Sequence, residues 1–239
     1  MSTTPLEAHL ERQIEESQDF FWHRLRWDAV ASRLPRGDGF ELVDVGAGIG
    51  LVGDFLRTER PLAGYRYEEP IAALQEHLAE RFGAEAEVPA GAPVPGARFV
   101  TLLDVLEHQP DGHAFLAGLA QRMASGATLI LTVPALNRLW SDWDVALGHH
   151  TRYDKARLRT TLAALPFEVQ ELSYLFPEML PAALARKRRR RDAEHAASAD
   201  FPQLPSAVNE ALYRAGRLTL ALRRHWPAGT SLFAVLRRV

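Results

Sequence analysis

The chain has 239 residues, 47% of them hydrophobic and 24% charged, with a net charge of −2 at pH 7 and no cysteine. This balance suits a soluble domain with an elaboration, and it excludes disulfides, thiolate metal sites and the global basic field that would argue for a nucleic-acid partner. The N-terminal residues are polar and no stretch is long and apolar enough to span a bilayer, so a cytoplasmic protein is expected.

In chain order, a helical stretch runs from about Pro5 to Leu34, interrupted near Asp19. The strand FELVDV follows, then a glycine-rich turn and the helix GLVGDFLRTE. GYRYEE reads as a second strand, and PIAALQEHLAERFG as a helix with Pro70 in its first turn and Gly83 at its end. EAEVP reads as a short third strand, ARFVTLLDV as a fourth, GHAFLAGLAQRMASG as a helix and ATLILTVP as a fifth strand. The nearly all-apolar fifth strand fits a position buried on both faces. This alternation predicts a doubly wound, mostly parallel α/β sheet. After Pro134 the period is lost in ALNRLWSDWDVALGHHTRYD, read as a lid or loop. The helix KARLRTTLAAL, the strand FEVQELSYLF, the helix SAVNEALYRAGRLTLALRRHW and a last strand TSLFAVLRR complete the chain, with the last strand expected as an edge hairpin.

The turn after the first strand carries Asp44, Gly46, Ala47, Gly48 and Gly50. Glycines there let a ligand lie against the backbone, and free amides at the next helix favour electron-rich groups. Glu68 and Glu69 stand about 20 residues on, where an acid commonly takes a ribose diol. A dinucleotide fingerprint, G-x-G-x-x-G, would need its third glycine at position 51, which is Leu51.

The observed D-x-G-x-G-x-G resembles motif I of the class I S-adenosylmethionine-dependent methyltransferases. LLDVLEHQPD, from Leu102 to Asp111, is similar to the family's segment after its fourth strand, and FFWHRLRWDAVASRL, WSDWDVALGHHTRYDKARL and PAGTSLFAVLRR resemble one bacterial subgroup of mostly unassigned substrate. The resemblance implies the Rossmann-like methyltransferase fold, with an antiparallel C-terminal strand, N-terminal helices and inserts after the fifth and sixth strands. It implies S-adenosyl-L-methionine as cofactor, S-adenosyl-L-homocysteine as product, Glu68 rather than Glu69 on the ribose, and Leu103, Asp104 and Val105 beside the cofactor. Many relatives carry an acid after the third strand for the adenine amino group; this chain has no carboxylate in EVPAGAPVPG past Glu87, so that contact is unassigned.

A base for methyl transfer must titrate near neutrality and reach the nucleophile, which makes His108, His149 and His150 the candidates, with His108 and His149 taken as the catalytic residues and Tyr153 in the same loop as the later two. The alternative is that Glu107 and His108 cap the following helix and that the later histidines lie on the surface. Trp140 and Trp143 are lid or core residues. Asp104, Glu107, His108 and His149 are also sensible ligands for a divalent ion. A similar E-x-x-E-H with a later histidine binds a metal in ubiquinone-pathway O-methyltransferases and small-RNA 2′-O-methyltransferases. Here the first acid is Asp, and no metal ligand is assigned.

The stretch from Tyr174 to Arg191 is apolar and then strongly basic, Arg186 to Arg191 being six consecutive cations. It reads as a solvated run, a contact to an anionic membrane surface, or a dock for a phosphorylated substrate. One methyltransferase domain over 1–239 is expected: an N-terminal cover at 1–34, a cofactor core at 35–134, a substrate-side region at 135–204, and a helix and edge strand at 205–239. The expected activity is methyl transfer to a small-molecule, lipid or glycan-type acceptor, lipid-linked or phosphorylated. The alternatives are a non-catalytic membrane-associated module and an NAD-dependent oxidoreductase.

Overall fold

The computed structural model describes residues 20–37, 39–190 and 204–239, with no side chains for 186–190. Its centre is a six-stranded sheet in the order β2-β1-β3-β4-β6-β5. The strands are β1 (Glu41–Val45), β2 (Gly64–Glu68), β3 (Phe99–Leu103), β4 (Thr128–Pro134), β5 (Phe167–Leu175) and β6 (Ser231–Arg238). β1 pairs in parallel with β2 and β3, and β3 with β4. β6 runs antiparallel to both β4 and β5. The first four strands therefore deliver their carboxyl ends to one edge, where an open α/β sheet takes its ligands.

Side-chain alternation sorts the core into two layers. Val43, Val100, Leu102, Leu129, Leu131 and Leu232 face one way, against α4 (Gly112–Arg122) and α6 (Lys155–Thr161). Leu42, Phe99, Ile130 and Phe233 face the other, against α1 (Phe21–Ala31) and α2 (Leu51–Glu59). α8 (Ser206–Ala221) crosses α1 so closely that a Cβ on Gly216 would stand 2.2 Å from Leu25 Cδ1. Tyr213 donates a hydrogen bond to Asp28 at 2.9 Å, and Arg24 pairs with Glu210 at 2.9 Å.

Two elements differ from the sequence expectation. EAEVP is a 3-10 turn at Ala84–Ala86 followed by a single bridge from Glu87 to Tyr67, not a strand. Gly83 enters that turn at φ 90, and Pro89 removes the next ladder donor. β6 is not an edge strand: its run SLFAVL is buried on both faces between β4 and β5, and β5 forms the edge. The N-terminal stretch expected to be helical lies outside the described residues up to position 19; α1 begins at Phe21. Of the basic run, Arg191 and the side chains of 186–190 also lie outside them. The backbone there continues α7 (Leu180–Arg190), after a 3-10 turn at Pro177–Met179. Among the described residues no helix is long and apolar enough to cross a membrane.

Candidate functional site

The turn after β1 is built from backbone. Gly46, Gly48 and Gly50 all have positive φ (73, 58 and 82), a region that side chains enter at a cost. A Cβ on Gly46 would lie 2.5 Å from Val105 Cγ2, and one on Gly50 would lie 2.6 Å from the Phe82 ring. The turn is tied to the end of β2 by hydrogen bonds from the Gly46 and Ala47 amides to the Glu68 carbonyl, at 2.7 and 3.2 Å. α2 starts at Leu51, directly after the third glycine.

The two acids after β2 diverge. Glu68 shares the face of β2 that looks onto α4, and its carboxylate is paired with Arg122. Glu69, one residue past the strand, is 5% exposed and turned onto the glycine turn. Its Oε2 accepts from the Gly48 amide at 2.7 Å, and its Oε1 from the Ile71 amide at 2.9 Å. Burial raises the Glu69 pKa, the two amides oppose this, and the charges of Asp44 and Glu68 add to the rise. Glu68, expected at the turn, is thus a brace to α4, and Glu69 is the carboxylate beside the glycines. Each Glu69 oxygen keeps a lone pair beyond its amide contact, so the group suits a diol.

Asp44 closes the floor below. It is 2% exposed, and it accepts from Thr101 Oγ1 at 2.6 Å and from the Tyr65 hydroxyl at 3.3 Å. Burial pushes its carboxyl up to about 6, against those hydrogen bonds and the Arg26 charge. Leu103 ends β3 half-buried. Asp104 follows it at φ 57 and pairs with Arg26 of α1, whose guanidinium lies 4.5 Å from the Trp22 ring centroid. Arg26 was not singled out by sequence, because it is 78 residues from its partner and no local pattern joins them.

The next loops carry the polar side chains. The His150 amide donates to the Glu107 carbonyl at 2.7 Å, which joins the loop after β4 to the loop after β3. This brings His108 and His149 edge to face, with centroids 4.7 Å apart. His149 Nδ1 meets Asp144 Oδ1 at 2.9 Å. Asp144 is fully buried and also accepts from Arg152 Nε at 2.7 Å and the Ser141 amide at 2.8 Å. Burial alone would raise the Asp144 carboxyl, yet the His149 and Arg152 contacts prevail and hold it at about 2. Burial, followed by the His149 charge, holds His108 down to about 4. Glu107 is 1% exposed and raised well above the carboxylate range, by burial first and Asp104 second. Neither Glu107 nor His108 caps α4: Asp111 does, accepting from the Ala114 amide at 2.9 Å. Tyr153 is 2% exposed and belongs to the core, and Trp140 and Trp143 are half-buried. Asp144 and Arg152 went unread in the sequence, although S-x-x-D in SDWD is a capping-box signal that marks Asp144 as a residue with a fixed place.

The site thus presents a backbone cradle, a diol-compatible acid and a histidine-bearing loop at one sheet edge. Comparison with known proteins speaks to the family and the fold. A family model described as a methyltransferase domain matches residues 10–172. No curated protein matches the chain by sequence. Among solved structures, the chain is similar to Haemonchus contortus phosphoethanolamine N-methyltransferase 2 in complex with S-adenosyl-L-methionine. That match has TM-score 0.58 and 13% identity, and covers 91% of this chain but only 52% of the other. It is similar to an S-adenosylmethionine-dependent methyltransferase from Archaeoglobus fulgidus, with TM-score 0.58, 14% identity and coverage of 95% and 97%. A geranyl diphosphate C-methyltransferase from Streptomyces coelicolor, in complex with Mg2+, geranyl-S-thiolodiphosphate and S-adenosyl-L-homocysteine, gives TM-score 0.55, 14% identity and coverage of 91% and 77%. These likenesses speak for the fold, and the family match sets the oxidoreductase alternative aside. The chain belongs to the methyltransferase-domain family and has the fold of the class I, S-adenosylmethionine-dependent methyltransferases.

Proposed function

We propose that the protein methylates a small-molecule acceptor carrying an anionic group, with a phosphorylated or lipid-linked molecule as the favoured class. The observation that carries the cofactor half is Glu69 locked by two backbone amides beside the glycine turn. When bound, the cofactor supplies an electrophilic methyl on a sulfonium. Around it, the backbone of Gly46, Ala47, Gly48 and Gly50 would follow the ligand, and Glu69 would accept from the ribose hydroxyls. Leu103 and Val105 would give an apolar wall. Asp44 and Asp104 would hold the floor and the α1 side, through Thr101 and Arg26 respectively. Glu68 would serve through Arg122, by fixing β2 on α4.

His108 and His149 are the residues proposed to meet the acceptor, because their rings meet edge to face from two loops at this edge. The acceptor class draws on two supports. Two of the similar structures are, by name, enzymes of phosphoethanolamine and of geranyl diphosphate, both phosphorylated. The sequence also concentrates Arg186 to Arg191 after the apolar turn that follows β5. The same run, together with exposed Leu218 of α8 and Leu222 just past its end, favours peripheral contact with an anionic lipid surface.

The test is transfer of a labelled methyl group from S-adenosylmethionine to a panel of phosphorylated amines, alcohols and prenyl diphosphates, with their dephosphorylated forms as controls. Label appearing only with phosphorylated members supports the reading. Label appearing equally with both forms contradicts the acceptor class, and none with any acceptor contradicts the activity.

A further inference from the structure

We propose that Glu107, His108 and His149 form a site for one divalent first-row cation of the Mn2+ or Zn2+ type, whose open positions would take an oxygen of the acceptor. The cation site stands on its own geometry; the acceptor's place in it rests on the reading above.

Each of the three residues offers one ligand atom, and these atoms lie within 4.8 Å of one another. Ligands about 2.0–2.2 Å from a common ion stand at most ~4.4 Å apart. Closure by a few tenths of an ångström is therefore enough to reach coordination distance.

The second observation is an unmet polar atom. Glu107 is 1% exposed, and its Oε2 has no hydrogen-bond partner. A buried carboxylate oxygen left without a partner is costly, and an ion at the cluster would satisfy it. The third is the outer contacts of the imidazoles. His149 Nδ1 is fixed on Asp144, and His108 bonds the Gly148 backbone. Each ring keeps one nitrogen to give to an ion, with its tautomer set from outside, as metal-bound histidines are commonly arranged. Asp144 is in turn held by Arg152 and the Ser141 amide, so the outer layer is itself fixed.

Asp104, the first acid of D-x-x-E-H, is not among the ligands: its carboxylate is committed to Arg26. The set is then one carboxylate and two imidazoles, which suits Zn2+, Mn2+ or Fe2+ better than the all-oxygen ions Ca2+ and Mg2+. Three protein ligands leave positions open, as sites that bind substrate require.

The experiment uses the full-length, metal-stripped protein without cofactor. Mn2+ binding is read by the loss of the free-ion electron paramagnetic resonance signal, and Zn2+ binding by calorimetry. One equivalent should bind. Glu107→Gln and His149→Gln should each weaken binding by at least 10-fold, the lower end of what even outer partners contribute. Asp104→Asn, which removes a nearby charge but no ligand, should weaken it less than either ligand variant. Melting temperatures identify any variant that fails to fold, and the other ligand variant then decides. No stoichiometric binding by the wild type, or equal affinity in wild type and both ligand variants, overturns the site. S-adenosylhomocysteine binding is measured in parallel. Homocysteine-ligand binding without metal binding sinks the cation site and leaves the methyltransferase reading intact; the reverse result supports the site and contradicts that reading.

Discussion

The two halves of the sheet edge are made of different materials. On the proposed cofactor side, three glycines at positive φ and two backbone amides on Glu69 set the geometry around one carboxylate. On the proposed acceptor side, side chains hold side chains: His149 on Asp144, Asp144 on Arg152, and His108 edge-on to His149. A backbone cradle tolerates no added atoms. A side-chain network is sensitive to charge and can change its chemistry with one substitution. The two halves should therefore separate cleanly under mutation.

The largest effect should be on the acceptor side. Asp144→Ala leaves the Arg152 guanidinium and the His149 ring without their buried partner, and breaking such a pair costs about 3–5 kcal/mol. Chemical denaturation should show that loss while S-adenosylhomocysteine affinity of the folded protein stays unchanged. A parallel loss of ligand affinity would break the separation.

Asp44 gives a comparable effect with a pH signature. Its carboxyl is raised from 3.8 to about 6, so between those values the folded protein holds a proton that the unfolded chain has released. Its contribution to stability is present below about pH 4 and lost as pH rises through 6. Relative to Asp44→Asn, the wild type should lose about 3 kcal/mol between pH 4 and 7, read from denaturation midpoints. A difference that is flat with pH would show that Asp44 is not buried as described.

Gly48→Val tests the cradle itself. A β-branched residue at φ 58 strains the turn whose amide holds Glu69. The expected loss of S-adenosylhomocysteine affinity is at least 100-fold, about 2.7 kcal/mol, with Mn2+ binding at Glu107 retained. Wild-type ligand affinity in this variant would show that the turn does not cradle the ligand.

The smallest effect per residue concerns the basic run. Changing Arg188 to Arg191 to Gln should weaken co-sedimentation with anionic vesicles by about 1 kcal/mol per residue at low salt. The difference should shrink at high salt, because exposed charges are screened. Equal sedimentation of both proteins at low salt would reject the membrane contact.

The cofactor half was readable because its signals are local. Glycine spacing, the β1 run and the position of the acids all fall within about 30 residues. Even so, which acid faces the turn was settled by strand parity: the last residue of β2 points to α4, and the residue after it is free to turn back. The family register counts positions and does not see that alternation. EAEVP has alternating character, but its turn residues leave it only one bridge. The edge assignment for β6 failed because an apolar run says how buried a strand is, not between which strands it inserts. On the acceptor side, His108 and His149 stood out by type, but the residues that orient them come from contacts across loops. Arg26 on Asp104 lies beyond any pattern the chain displays locally.

The most direct test is calorimetric titration of S-adenosylhomocysteine into the wild type, Glu69→Ala and Glu68→Ala. The account predicts that Glu69→Ala loses roughly 1.5–3 kcal/mol of affinity, the range for hydrogen bonds to a charged group, while Glu68→Ala binds nearly as the wild type does. Loss of affinity in Glu68→Ala with none in Glu69→Ala, or no binding by the wild type, would contradict it.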